Sequence, residues 1–266
     1  MDFSDSYTCV IKKIIPKSTA LDREIFRFNV ATLMPPFGMT RVGAFHGLKI
    51  VNKVIQDPKG VLDVCWCQTN RELKALKKYI KRNTSAMNRA LLELSQESQN
   101  QVIAKLGELF DVLKWTRINK SDVGPVGASK ILFAVFPEFA LPVDNAEWKH
   151  VFRTDKYRNV LRTMIKEVSE WESKTSIRFE TLDSAPTTIP SIYNVMAMEA
   201  RPKKTGKSSE ENKIQFGEFM NLLKELRERD KISAQDLRGY RKNWETYPQN
   251  RKILTVDLKA KLTKYS

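Results

Sequence analysis

The chain has 266 residues, with 46 Lys+Arg against 31 Asp+Glu, a formal net charge of +15 and 41% hydrophobic residues. A chain of this size can bury roughly three quarters of its unfolded surface, and that composition excludes a disordered or collagen-like polymer. It holds no run of about 18 apolar residues to span a bilayer, and Met1-Asp2-Phe3-Ser4-Asp5 lacks the basic start and apolar core of a secretory signal.

A soluble, intracellular protein, cytoplasmic or nucleoid-associated and free of membrane contact, is therefore expected, built as one two-lobed domain or two small ones. In chain order, Tyr7 to Ile15 has a β-like pattern. Ser18-Thr19 then reads as a cap, with Leu21, Ile25, Phe28 and Leu33 on one helical face until Pro35-Pro36 stops the helix. Helical spacing predicts further helices over 41–56, 70–82, 85–97, 99–114, 128–136, 145–153, 156–171 and 188–200, with a second β-like stretch at Val61 to Trp66. The fold class is mostly α, with few or no strands. Arg201 to Ser209 is polar, basic and bracketed by Pro and Gly, which predicts a flexible connector, followed by about three helical segments to Ser266. No internal repeat is present.

The charge points to the partner. A surplus of +15 attracts phosphates and releases their counterions on binding, so nucleic acid is the first expected partner; no protein partner is identifiable. Residues 201–266 alone hold 17 Lys+Arg and 9 Asp+Glu. In Arg71 to Arg82, Leu73, Leu76 and Ile80 repeat at helical spacing while Arg71, Lys74, Lys78 and Lys81 share another face. One face would pack while Lys74 and Lys78 meet a DNA backbone, or simply form a solvated helix face.

Other chemistries find little support. Cys9, Cys65 and Cys67 with His46 lack paired Cys-x-x-Cys spacing, so buried thiols are expected and no metal site. The only histidines are His46 and His150, and neither a Gly-x-Ser-x-Gly elbow, a phosphate loop nor a dinucleotide fingerprint occurs. The informative stretch runs from Trp115 to Trp148. It reads as helix, glycine turn, helix, turn, aspartate, helix. Gly124 and Gly127 would permit a tight bend, leaving the N–H groups of Gly127, Ala128 and Ser129 free at a helix mouth, a seat for phosphate. Lys120 and Lys130 flank it and would add charge-assisted contacts. Pro142-Val143-Asp144 then delivers a carboxylate to the start of another helix, where Asp144 with Glu147 is also a capping pair.

Val123 to Phe152 resembles the helix-hairpin-helix glycosylase superfamily of DNA repair enzymes, whose motif is a Leu-Pro-Gly-Val-Gly type hairpin followed by a Pro-Val-Asp type segment. The resemblance implies a two-lobed, mostly helical fold. Residues 1–69 would belong to a second lobe, 70–175 to the hairpin lobe, and 176–266 to a basic C-terminal segment with its linker at 201–209. It implies Asp144 as the catalytic aspartate and Gly124, Val126, Gly127, Ala128 and Ser129 as the phosphate grip, with a monovalent cation at the hairpin and no other cofactor required. This chain departs from the pattern in three ways. Gly124-Pro125-Val126-Gly127 reverses the Pro-Gly order, the interval to Asp144 is shorter, and the lysine of lyase-type members is replaced by Ser129 with Lys130 one residue later. That offset rotates a helical side chain by about 100°, so Lys130 stands between a Schiff-base and a phosphate-binding role. Three cysteines exclude the four-cysteine cluster of some relatives.

The function so implied is a DNA glycosylase that flips out a damaged or modified base and breaks its N-glycosidic bond, in repair or in antiviral defence against modified phage DNA. Trp115 and Trp148 are candidate walls for the flipped base, with Trp66 and Phe45 behind them; all four also suit a core. Arg117 and Asn119 are candidates to fill the gap left by the base. Two rivals remain open: a non-catalytic DNA-binding module in which Asp144 only caps a helix, and a metal-dependent nuclease using Glu172-Ser173-Lys174.

Overall fold

The computed structural model describes residues 21–83, 89–182, 188–200, 207–246 and 251–264. The chain divides into two compact units, Met1–Arg201 and Pro202–Ser266, each with its own hydrophobic core. The division expected at residue 176 thus falls at 201/202, and residues 21–193 share one continuous core rather than parting near residue 70. The β-like stretch Tyr7 to Ile15, the Ser18-Thr19 cap and Cys9 lie outside the described residues.

Among the described residues the first unit is helical with two small hairpins. Helix α1 (Arg23–Leu33) starts at Asp22, whose carboxylate accepts the Ile25 N–H at 2.8 Å. Its buried face is Phe26, Val30, Ala31 and Leu33, so Phe28 is 44% exposed. The apolar residues fit two helical phases, and packing selects the one through Phe26. The helix expected over 41–56 is not formed. Gly43 and Gly47 have φ of +76° and +82°, so only a 3₁₀ turn forms at Gly43–Phe45. Asn52 and Lys53, both at positive φ, then turn an antiparallel hairpin of β1 (Lys49–Val51) and β2 (Val54–Gln56), the two-residue turn that matches strand twist.

The β-like run Val61 to Trp66 is the start of helix α2 (Val61–Asn83). Asp57 accepts from the N–H groups of Val61 and Leu62 at 3.1 and 2.9 Å, and this cap starts a helix where residue preference alone favours a strand. Leu73, Leu76 and Ile80 are buried, and Lys74 and Lys78 are exposed, as the spacing predicts. Cys65 is buried, and burial pushes its thiol up to about 12; Cys67 is exposed rather than buried.

Helix α3 (Ala90–Glu93) covers only four residues of the helix expected over 85–97, since Leu94 turns extended. Residues 84–88 of that span lie outside the described residues. Ser95 caps helix α4 (Gln96–Lys114), which packs against α2, α5 (Gly124–Val135) and α7 (Tyr157–Thr175) and so forms the centre of the unit. Between α4 and α5, β3 (Arg117–Ile118) and β4 (Ser121–Asp122) make a minimal ribbon with Asn119 and Lys120 at its tip. Next come α6 (Asn145–Glu147), a π-helical turn at Trp148–Phe152 closed by Arg153 at φ +51°, and, after α7, α8 (Ile189–Glu199).

The second unit consists, among described residues, of α9 (Lys207–Glu228), α10 (Ala234–Thr246) and α11 (Arg251–Lys264) around Phe219, Leu223, Leu226, Ile232, Trp244, Leu254 and Leu258. Phe219 stacks on Trp244 with centroids 4.1 Å apart. Of the predicted connector, 201–206 lies outside the described residues, whereas Lys207 to Ser209 open α9. No described helix is long and apolar enough to cross a membrane.

Candidate active site

The glycine segment is built differently from the bend its sequence suggests. The chain leaves α4 through the β3–β4 ribbon, Gly124 takes φ +71°, and α5 starts there with Pro125 in its first turn. The N–H groups preceding the first intrahelical bond are therefore those of Gly124 and Val126, both half-buried. Gly127, Ala128 and Ser129 are buried inside the helix, which corrects the expectation that their N–H groups stand open to phosphate. Gly127 serves close packing instead. A Cβ there would lie 2.7 Å from Phe45 Cε2 and 2.9 Å from Val123 Cγ1. Gly127→Ala should accordingly lower unfolding free energy by about 1–3 kcal/mol, read as a reduced urea midpoint; an unchanged midpoint would show that the Phe45 ring gives way freely.

From Ala140 to Asp144 the chain is neither helix nor strand, and buried side chains hold it along the way. The Tyr157 hydroxyl of α7 accepts from Leu141 N at 2.8 Å and donates to Leu141 O at 2.9 Å. Asn194 of α8 donates to Pro142 O at 2.5 Å. Ser129 Oγ of α5 accepts from Val143 N at 3.0 Å. Ser129 thus fastens the approach to the aspartate. Buried polar backbone without secondary-structure partners needs such acceptors and donors, and three helices supply them.

At the end of this segment Asp144 opens α6 with a capping box, its N–H donating to Glu147 Oε2 at 2.7 Å. Glu147 is fully buried and also accepts from Asn194 Nδ2 at 3.2 Å. Lys130 reaches the same point from α5. Its Nζ lies 2.7 Å from Asp144 Oδ1 and 4.7 Å from the centre of the Phe37 ring. The one-residue offset therefore does not carry Lys130 away from the aspartate. The two partners differ in exposure: the Lys130 side chain is 2% exposed and Asp144 30%. The carboxylate keeps a face toward solvent, while the amine is covered.

The other candidates fall in separate places. Trp148 packs into the core at 5.6 Å from Phe110 and 6.3 Å from Tyr157, with its Nε1 buried and without a hydrogen-bond partner among the described residues. Trp115 is 70% exposed, with Lys114 Nζ 5.0 Å from its ring centre. Phe45 and Trp66 are core residues. The aromatic ring found beside the Lys130–Asp144 pair is Phe37, which sequence reasoning missed because Pro35-Pro36 signals only where α1 ends. Arg117, Asn119 and Lys120 are exposed on the ribbon, and Lys74 lies 5.2 Å over the outer face of Trp66.

The Glu172-Ser173-Lys174 pattern has a structural use. Arg89 donates to both oxygens of Glu172 at 3.0 and 3.1 Å and also to Glu180, and Glu172 accepts from Phe179 N at 2.8 Å. The Arg89 guanidinium, seconded by that N–H, holds the Glu172 carboxyl below the usual carboxylate range. A lowered value means that the pair's contribution is complete above the unfolded value of about 4.3 and disappears as pH falls through the folded one. The gap in urea midpoint between the parent and Glu172→Gln should therefore be present at pH 7 and close below about pH 4. A gap constant with pH would contradict the ion-pair account. Among the described residues no group of three or more His, Cys, Asp or Glu side chains is arranged to hold a metal ion.

Compared with protein-family models, curated proteins and solved structures, the chain matches none of them.

Proposed function

We propose that the chain is a DNA N-glycosylase in which Asp144 acts on the sugar of an everted nucleotide. One observation carries this reading: a carboxylate fastened by a capping box and a buried ammonium keeps 30% of its side chain exposed. A carboxylate fixed in this way needs no reorganisation when charge develops in front of it. Support comes from the +15 charge and from the exposed Arg117, Asn119 and Lys120 on the ribbon that leads into α5.

The chemistry requires a base drawn out of the stack at a cost of a few kcal/mol. As the bond from C1′ to the base nitrogen breaks, its electron pair leaves with the base and positive charge builds on the sugar. Asp144 stabilises that charge and orients a water. The water oxygen bonds to C1′, and its proton ends on the departing base. Lys130 orients Asp144 through the 2.7 Å contact, and with 2% of its side chain exposed its Nζ is covered from an everted sugar, so the reading is of a monofunctional enzyme. The decisive experiment is mass spectrometry of bases released by the purified chain from a panel of damaged and modified phage DNAs, with borohydride trapping alongside. Release of one base without a trapped adduct is expected; release of none from any member would remove the reading.

The capping box also favours a second reading, a non-catalytic DNA-binding protein in which Asp144 only starts α6. It predicts salt-sensitive binding of the same DNAs with every base retained.

A further inference from the structure

The Pro202–Ser266 unit has its own core and a charged helix face that this core does not use. On α10, Trp244 is buried and Leu237 and Tyr240 pack against the core. At about 100° per residue, the opposite side presents Gln235, Arg238, Gly239 and Lys242 as one stripe with Arg241 on its edge, all exposed. Three other cations of the unit sit in ion pairs. Lys224 pairs with Glu228 at 3.7 Å, Arg229 with Glu225 at 2.6 Å and Lys259 with Glu218 at 2.6 Å, and Lys261 donates to the Tyr240 hydroxyl. Arg238, Arg241 and Lys242 form no ion pair with any described residue. Of the two acids on this helix, Asp236 lies off the stripe and accepts from Ser233 N and Oγ at the helix start, and the side chain of Glu245, near the far end, lies outside the described ones.

Gly239 supplies an independent observation. A glycine inside a helix is unfavourable relative to alanine, and here packing offers no reason for it, since a Cβ would meet nothing within 4 Å. A missing side chain at the centre of a basic stripe lets another molecule approach the helix backbone closely. The apolar residues of α10 face the bundle, which leaves no apolar side for a lipid surface. The major groove of B-form DNA, about 12 Å wide, admits a helix, whereas the deep, narrow groove of A-form RNA does not.

We propose that the Pro202–Ser266 unit is a second DNA-binding element, which docks the Gln235, Arg238, Gly239 and Lys242 stripe of α10 in the major groove of duplex DNA. This holds whether or not Asp144 breaks a bond. Fluorescence anisotropy of the full chain on a labelled mixed-sequence duplex tests it, with melting curves to confirm folding. Arg238→Ala combined with Lys242→Ala should weaken binding about tenfold or more and reduce the salt slope by about two. Gly239→Ala should raise the melting midpoint and yet weaken duplex binding, opposite signs that a solvated helix would not produce. The proposal is overturned if the double variant keeps the parent's affinity and slope, if Gly239→Ala melts higher with binding unaltered, or if duplex RNA or anionic vesicles bind as tightly as duplex DNA.

Discussion

Asp144→Asn should leave the chain folded and bound to DNA while lowering base release by about a hundredfold to a thousandfold. Asparagine keeps the shape and remains a good N-cap, so the start of α6 survives. What it loses is the negative charge facing the sugar, together with the ionic part of the contact to Lys130 Nζ at 2.7 Å. Because Lys130 is only 2% exposed, losing its counter-ion should cost about 1–3 kcal/mol of stability, with the asparagine oxygen still able to accept from Nζ. Single-turnover base release, measured beside anisotropy binding, separates the two effects. Undiminished release by the variant would reduce Asp144 to a helix cap and place the chemistry on another residue.

The second large effect is expected at Glu147. Its carboxylate is fully buried and accepts from Asp144 N at 2.7 Å and Asn194 Nδ2 at 3.2 Å. Replacing it with Leu orphans the Asp144 N–H and leaves Asn194 Nδ2 with Pro142 O alone, and a buried donor left unsatisfied costs about 1–3 kcal/mol. A loss of about 3 kcal/mol in unfolding free energy is expected for Glu147→Leu and about half that for Glu147→Gln, which retains one acceptor oxygen. Urea denaturation of both variants measures it. If Glu147→Leu proved as stable as the parent, the capping box would not be what fixes the site.

Some of this arrangement was legible in residue order. Leu73, Leu76 and Ile80 repeat at helical spacing and are buried together, because periodicity reports which face meets a core. The Asp144 and Glu147 pair reads directly as a capping box, since both partners lie within one turn. Contacts between distant segments were not legible. Lys130 and Ser129 are about 100° apart on α5, yet both reach the same segment: Ser129 contacts Val143 with a short hydroxyl, and Lys130 contacts Asp144 through its long stem. An angular argument from one helix cannot anticipate a partner that crosses it. The hairpins were missed for a related reason. Positive φ at Asn52, Lys53 and Asn119 is a local backbone choice that apolar spacing does not register.

The three fastenings of the Leu141 to Val143 segment come from Ser129, Tyr157 and Asn194, on helices far apart in the chain. None of these three helices can shift without dragging the aspartate's mooring. Inactivation by heat should then coincide with cooperative melting of the first unit rather than precede it, and the acid's position is a readout of that unit's integrity.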